Sequence, residues 1–254
     1  MTQEASQKTI SLKGRKLFVA IPAYDHMVPA DMVASFLDLS KRSPDFGVDF
    51  RIGFAKGCSL VTSARNILVN RFIKSDCDSL LFIDSDIMFD PEDIFRLLAW
   101  TTNKHVVGGV YSVKTLPAKY YLTLDHDNDR PIIDESGLVK AKSISTGFMM
   151  IQRRVIEDLI KAHPEWEYLD RVSNTTLFSV FDLKSTPEGY IGEDMLFCQR
   201  AREHGFEIWI DPMIKLGHFG RHEFKSDFAN DVLFPMMKAT EIKEENEPLR
   251  VAYG

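Results

Sequence analysis

Residues 80–90 read LLFIDSDIMFD, four apolar residues running into Asp84 and Asp86 with only Ser85 between them. A short apolar run bounded by polar residues reads as a fully buried strand, here 79–84. In an extended chain, residues two apart point to the same side. The two carboxylates therefore converge just past the carboxyl end of the strand, the edge at which open α/β sheets bind ligands. Two like charges so placed repel unless something takes up their charge. A pair of hard oxygen donors suits Mg2+ or Mn2+, which keeps several waters and accepts substrate phosphates as further ligands.

Upstream, residues 16–22 (KLFVAIP) predict a strand stopped by proline, 29–40 a helix, and 48–54 a second strand. Residues 63–74 (SARNILVNRFIK) predict a helix with Ser63 as its N-cap and Arg65 in its first turn. There the guanidinium and the helix N-terminus can both face a phosphate. Downstream, Asp90-Pro91-Glu92-Asp93 opens a helix well, with Asp90 as cap and acids in the first turn. Residues 105–111 (HVVGGVY) predict a fourth strand. The alternation of strand and helix implies a mainly parallel sheet with helices on both faces.

The second half predicts strands at 119–124, 144–151, 176–184 and 206–210, and helices at 153–161 and 193–204, the latter closed by Gly205. Residues 125–137 (DHDNDRPIIDESG) form a polar loop or hairpin, and the last stretch is charged. The expected organisation is a disordered lead over 1–14 and a single domain over 15–220, followed by an extension over 221–254. Within the domain, 15–115 is a nucleotide-binding half and 116–220 an acceptor half.

The 254 residues are 44% hydrophobic and 27% charged, an ordinary globular composition. A net charge of −6 argues against a nucleic-acid partner held by bulk electrostatics. Three cysteines, Cys58, Cys77 and Cys198, without CxxC spacing read as reduced thiols. No apolar run approaches the roughly 20 residues of a membrane helix, and residues 1–14 lack the apolar segment of a signal peptide. A soluble, cytoplasmic protein is expected.

Three further segments bear on chemistry. In VAIPAYD the strand ends at Pro22 and Ala23, so Tyr24 and Asp25 follow at the carboxyl edge, near where a base and ribose would lie. TSARN supplies Arg65. In residues 190–220, Glu193 and Asp194 open a helix after Gly192, and His218 sits in a Gly-flanked loop. Tyr111 and Lys114, after the fourth strand, and Gly147, in STGFMM, are secondary candidates. An EF-hand is excluded because Met88 and Phe89 stand where ligands would be. The P-loop pattern GxxxxGK[ST] is absent.

In their order and spacing, IPAYD, SARN, LFIDSD, TGFMMIQRRV, GED and LGH resemble the nucleotide-sugar-dependent glycosyltransferases of the GT-A fold, close to the family-2-like group. The resemblance covers roughly residues 17–220. It implies a Rossmann-like α/β domain that moves a sugar from a UDP- or GDP-type donor to a glycan or other hydroxyl acceptor. Asp84 and Asp86 would hold Mn2+ or Mg2+, with His218 as a further metal or phosphate contact. Pro22, Ala23, Tyr24, Asp25, Arg65, Asp84 and Ser85 would line the nucleotide site. Asp194 would be the base of an inverting transfer, with Glu193 in reserve; a carboxylate within reach of the acceptor hydroxyl is sufficient for that role. The competing expectations are a sugar-nucleotidyltransferase or phosphatase on the same aspartates, or a non-catalytic sugar-binding protein. Against the nucleotidyltransferase, PAYDHMVP has no glycine or lysine where a phosphate loop would stand.

Overall fold

The computed structural model describes residues 10–171, 173–220 and 223–238. The first half runs β1 (Lys16–Ala23), α1 (Ala30–Phe46), β2 (Asp49–Lys56), α2 (Val61–Ile73), β3 (Ser79–Ile83), β4 (Ile87–Met88), α3 (Pro91–Trp100) and β5 (Val106–Gly108). Next come β6 (Leu122–Leu124), a small hairpin of β7 (His126–Asp127) and β8 (Arg130–Pro131), β9 (Val139–Ile144), β10 (Phe148–Gln152) and α4 (Arg153–Ala162). The remaining described elements are β11 (Glu167–Asp170), β12 (Thr175–Phe178), β13 (Lys184–Thr186), β14 (Gly189–Ile191), α5 (Glu193–Glu203), β15 (Ile208–Ile210), β16 (Gly217–Phe219), β17 (Glu223–Lys225) and α6 (Phe234–Lys238).

The central sheet has eight strands in the order β2-β1-β3-β10-β5-β15-β9-β6. β1 pairs in parallel with β2 and β3, and β5 with β15, whereas β10 and β9 run against their neighbours. The sheet is thus mainly parallel by strand direction, with two reversed strands. Its side chains alternate between two cores. Phe18, Ala20, Leu80 and Phe82 face α2, α4 and α5 on one side. Leu17, Val19, Leu81 and Ile83 face α1 and α3 on the other. All five residues of β3 are buried, as a central strand covered on both faces requires. Among the described residues no helix is long and apolar enough to cross a membrane.

Several expectations are corrected. The strand expected at 144–151 is two: β9 ends at Ile144, and after Ser145–Gly147 the chain re-enters the sheet as β10, between β3 and β5. An apolar run does not reveal which neighbours it will pair with, and here the run crosses from one position to another. Helix α2 starts at Val61, with Leu60 at its N-cap and no side-chain cap. Ser63 is therefore not the cap, and Arg65 lies in the second turn. Helix α1 continues past residue 40, through Pro44 in its last turn, to Gly47, whose φ of 65° closes it. His218 is in strand β16, which pairs with β4 and β17, rather than in a loop.

Of the lead read as disordered, residues 1–9 lie outside the described residues, whereas Leu12 is buried in the core and the Gly14 N–H donates to the Gly47 carbonyl at 2.8 Å. The fold also continues past 220. β17 pairs with β16, and Phe228, Ala229 and Leu233 are buried. Residues 221–222 and 239–254 of the expected extension lie outside the described residues.

Candidate active site

The parallel order places the carboxyl ends of β1 and β3 side by side. A cleft of about 260 Å³ opens there, lined by Pro22, Ala23 and Tyr24 at the end of β1, by Ala55, Cys58, Ser59, Val61 and Ala64 around the turn into α2, and by Asp84, Ser85 and Asp86. Of the expected nucleotide residues, Pro22, Ala23, Tyr24, Asp84 and Ser85 share this cavity with Asp86, whereas Arg65 and Asp25 do not line it. The wall from Ala55 to Ala64 was not foreseen; its one sequence signal is the KGCS turn, where Gly57 has a φ of 66°. Asp25 does not line the cleft. It is exposed on the lip, and its carboxylate accepts from the Met27 N–H at 3.2 Å, closing a turn.

Asp84 is held from two sides. Its N–H donates to the Gly147 carbonyl at 3.0 Å. Its carboxylate faces Arg65, whose Nη2 lies 3.0 Å from Oδ1 but donates to Oδ2 at 3.4 Å. Asp84 Oδ1 is buried and has no aligned donor. Arg65 is only 3% exposed and also reaches Glu193, Nε to Oε1 at 3.2 Å. Burial works against its charge, but the Asp84 and Glu193 carboxylates more than offset that and raise its pKa. Arg65 therefore points inward and ties the end of β3 to the start of α5. Gly147 has a reason to be glycine: a Cβ there would stand 2.3 Å from the Tyr111 hydroxyl and 2.8 Å from Asp84 Oδ2.

Asp86 sits between Lys114 and His218. Lys114 Nζ lies 2.6 Å and His218 Nε2 3.3 Å from its Oδ2. Burial opposes ionisation, but these hydrogen bonds prevail and bring the Asp86 carboxyl down to about 2. His218 Nδ1 lies 2.8 Å from the Ser112 carbonyl, which can only accept, so the proton is on Nδ1 and Nε2 faces Asp86. Imidazole ligands of metals are commonly oriented in this way by an acceptor on the nitrogen that does not bind the metal. Tyr111 packs edge-on against His218 at 5.0 Å between centroids. Burial, then Asp84, pushes its hydroxyl well above the usual range, which keeps it neutral.

The donor types suit a divalent cation: a buried Asp84 oxygen with no aligned donor, an ionised Asp86, and an imidazole oriented by the Ser112 carbonyl on His218. Among the described residues no three His, Cys, Asp or Glu side chains converge on one point. Asp86 and His218 meet, whereas Asp84 turns toward Arg65. Asp194, in the first turn of α5, accepts from the Met195 N–H at 2.7 Å. Burial, then the neighbouring Glu193 carboxylate, raises its pKa.

Comparison with solved structures gives several likenesses. A197 from STIV aligns over 81% of this chain and 86% of its own, with a TM-score of 0.51 at 21% identity. GalNAc-T7, crystallised with UDP, GalNAc and Mn2+, aligns over 82% of this chain and 44% of its own, with a TM-score of 0.44 at 12% identity. S. aureus TarS 1–349 in complex with UDP-GlcNAc aligns over 77% and 56%, with a TM-score of 0.39 at 11% identity. The first of these shows a shared fold. No family model and no curated protein matches the chain.

Proposed function

We propose that this chain is a metal-dependent glycosyltransferase that moves a sugar from a UDP- or GDP-type donor to a glycan or other hydroxyl acceptor. The observation that carries the proposal is the single cleft lined by both the Pro22–Tyr24 edge and the Asp84–Asp86 pair. A nucleoside would lie between Tyr24 and the 58–64 turn, with its diphosphate toward the aspartates. Asp84, Asp86 and His218 would hold the Mn2+ or Mg2+ ion, with Lys114 giving way from Asp86 or moving to a phosphate. Bound there, the cation neutralises the charge that develops on the departing diphosphate. Arg65 keeps Asp84 and Glu193 oriented. Asp194 takes the proton from the acceptor hydroxyl as the new bond forms, with inversion at the anomeric carbon.

Calorimetry with UDP and with GDP, each with and without Mn2+, tests this. Metal-dependent binding of one nucleoside diphosphate, lost in Asp86→Ala with the fold retained, is expected. If neither diphosphate binds with any divalent ion, the proposal is withdrawn.

A further inference from the structure

A second cluster lies at the other end of α5, about 15 Å along the helix from Asp194. His163 is the C-cap of α4 and His204 the C-cap of α5. Their Nε2 atoms face each other at 3.2 Å. The opposite nitrogen of each ring is committed. His163 Nδ1 lies 2.8 Å from Glu165 Oε1, and His204 Nδ1 lies 2.8 Å from the Arg200 carbonyl. A carbonyl and a carboxylate both accept, so both rings carry their proton on Nδ1. Two neutral rings so protonated would bring their Nε2 lone pairs face to face at 3.2 Å, which is repulsive unless a proton or a metal cation stands between them.

The surroundings favour such a centre. Two helix C-termini meet here, each bearing roughly half a negative charge. His163 is also stacked on Trp166, with centroids 4.0 Å apart and planes 6° apart, which fixes its ring. Zinc–imidazole bonds of about 2.0–2.1 Å at a tetrahedral angle place the two nitrogens roughly 3.3 Å apart. The observed separation matches. Glu165 and the Arg200 carbonyl are the outer partners that orient metal-binding imidazoles. His204 is exposed, which leaves solvent room to complete the coordination.

We propose that His163 and His204 form a two-imidazole site for a borderline divalent cation of the Zn2+ class, clipping the end of α4 to the end of α5. The site shares no residue with the Asp84–Asp86 edge, and imidazole donors favour Zn2+ over the Mg2+ or Mn2+ expected there.

The test is zinc titrated calorimetrically into the untagged full-length chain, as wild type, His204→Gln and His163→Gln, with the thermal midpoint followed in parallel. Wild type is expected to take up about one equivalent more zinc than either variant, and to gain more in midpoint from zinc than either does. Zinc held at the Asp86 edge contributes equally to all three and cancels in the comparison. Equal uptake by wild type and a variant shown by circular dichroism to be folded would overturn the site. Because the two variants remove different ligands, either one suffices if the other fails to fold.

Discussion

At the scale of single residues, two carboxylates carry distinct predictions. Asp194 lies in the first turn of α5, with its pKa raised by burial and then by Glu193. Asp194→Asn keeps the shape and removes the base. The turnover of a transfer assay should fall about 10²–10⁴-fold, while nucleotide binding measured by calorimetry is unchanged. A loss of binding instead would place Asp194 in the donor site. Asp93 is the other. It accepts from the Asp90 N–H at 3.3 Å in the capping box of α3 and is 8% exposed. Burial pushes its carboxyl up to about 7, the Asp90 and Asp211 charges acting the same way and the Asp90 N–H and Arg96 against. An unfolded aspartate titrates near about 4. From there to about 7 the folded chain binds the extra proton, so this group lowers stability as pH rises. Asp93→Asn keeps an acceptor for the cap and removes the titration. Urea melts should show the variant gaining on wild type between about pH 5 and pH 8, by on the order of 2 kcal/mol. The buried run leading into Asp84 and Asp86 was legible, but strand periodicity does not place the two carboxylates, because both stand past the end of β3 in the turn to β4, where Asp84 turns to Arg65 and Asp86 to His218. That Arg65 would turn inward was not legible, since its partner Glu193 is 128 residues away.

At the scale of elements, what could be read depended on whether the end of an element is set locally. The start of α3 was legible in full, because Asp90, Pro91 and Asp93 hold that cap among themselves. The start of α2 was not: Leu60 makes no side-chain cap, and burial of Ala64, Leu68 and Phe72 positions the helix. Helix α3 is in turn tied to the end of β15. Arg96 Nη2 reaches Asp211 Oδ2 at 2.7 Å, and Trp100 Nε1 donates to the same oxygen at 2.8 Å. Asp211 is 1% exposed. Removing one member of a buried pair leaves the other charge without its carboxylate, which costs about 3–5 kcal/mol. Asp211→Ala should lose stability on that scale in urea denaturation, and Asp211→Asn distinctly less. Equal losses would mean that packing, not charge, holds this junction.

At the scale of the whole molecule, ligand binding should register as stability. If the cleft between β1 and β3 binds a nucleoside diphosphate with Mn2+, ligand at about 100 times its Kd adds about 2.7 kcal/mol. For a chain of this size that corresponds to a rise of roughly 5–10 °C in the thermal midpoint. The rise should vanish in Asp86→Ala and without the metal. The class of fold followed from the sequence by itself, as did the strand leading into the aspartates, the capped start of α3 and the helix that Glu193 and Asp194 open. Each rests on periodicity or on capping within a few residues, which are properties of neighbours in the chain. The order of the sheet, the insertion of β10 between β3 and β5, and the return of residues 223–238 to the core were decided by tertiary structure. So were the meetings of Arg65 with Glu193, of His218 with Asp86 and of His163 with His204. Contacts across tens of residues are selected by which buried surfaces and charges fit together once the chain is packed, and no local pattern encodes them.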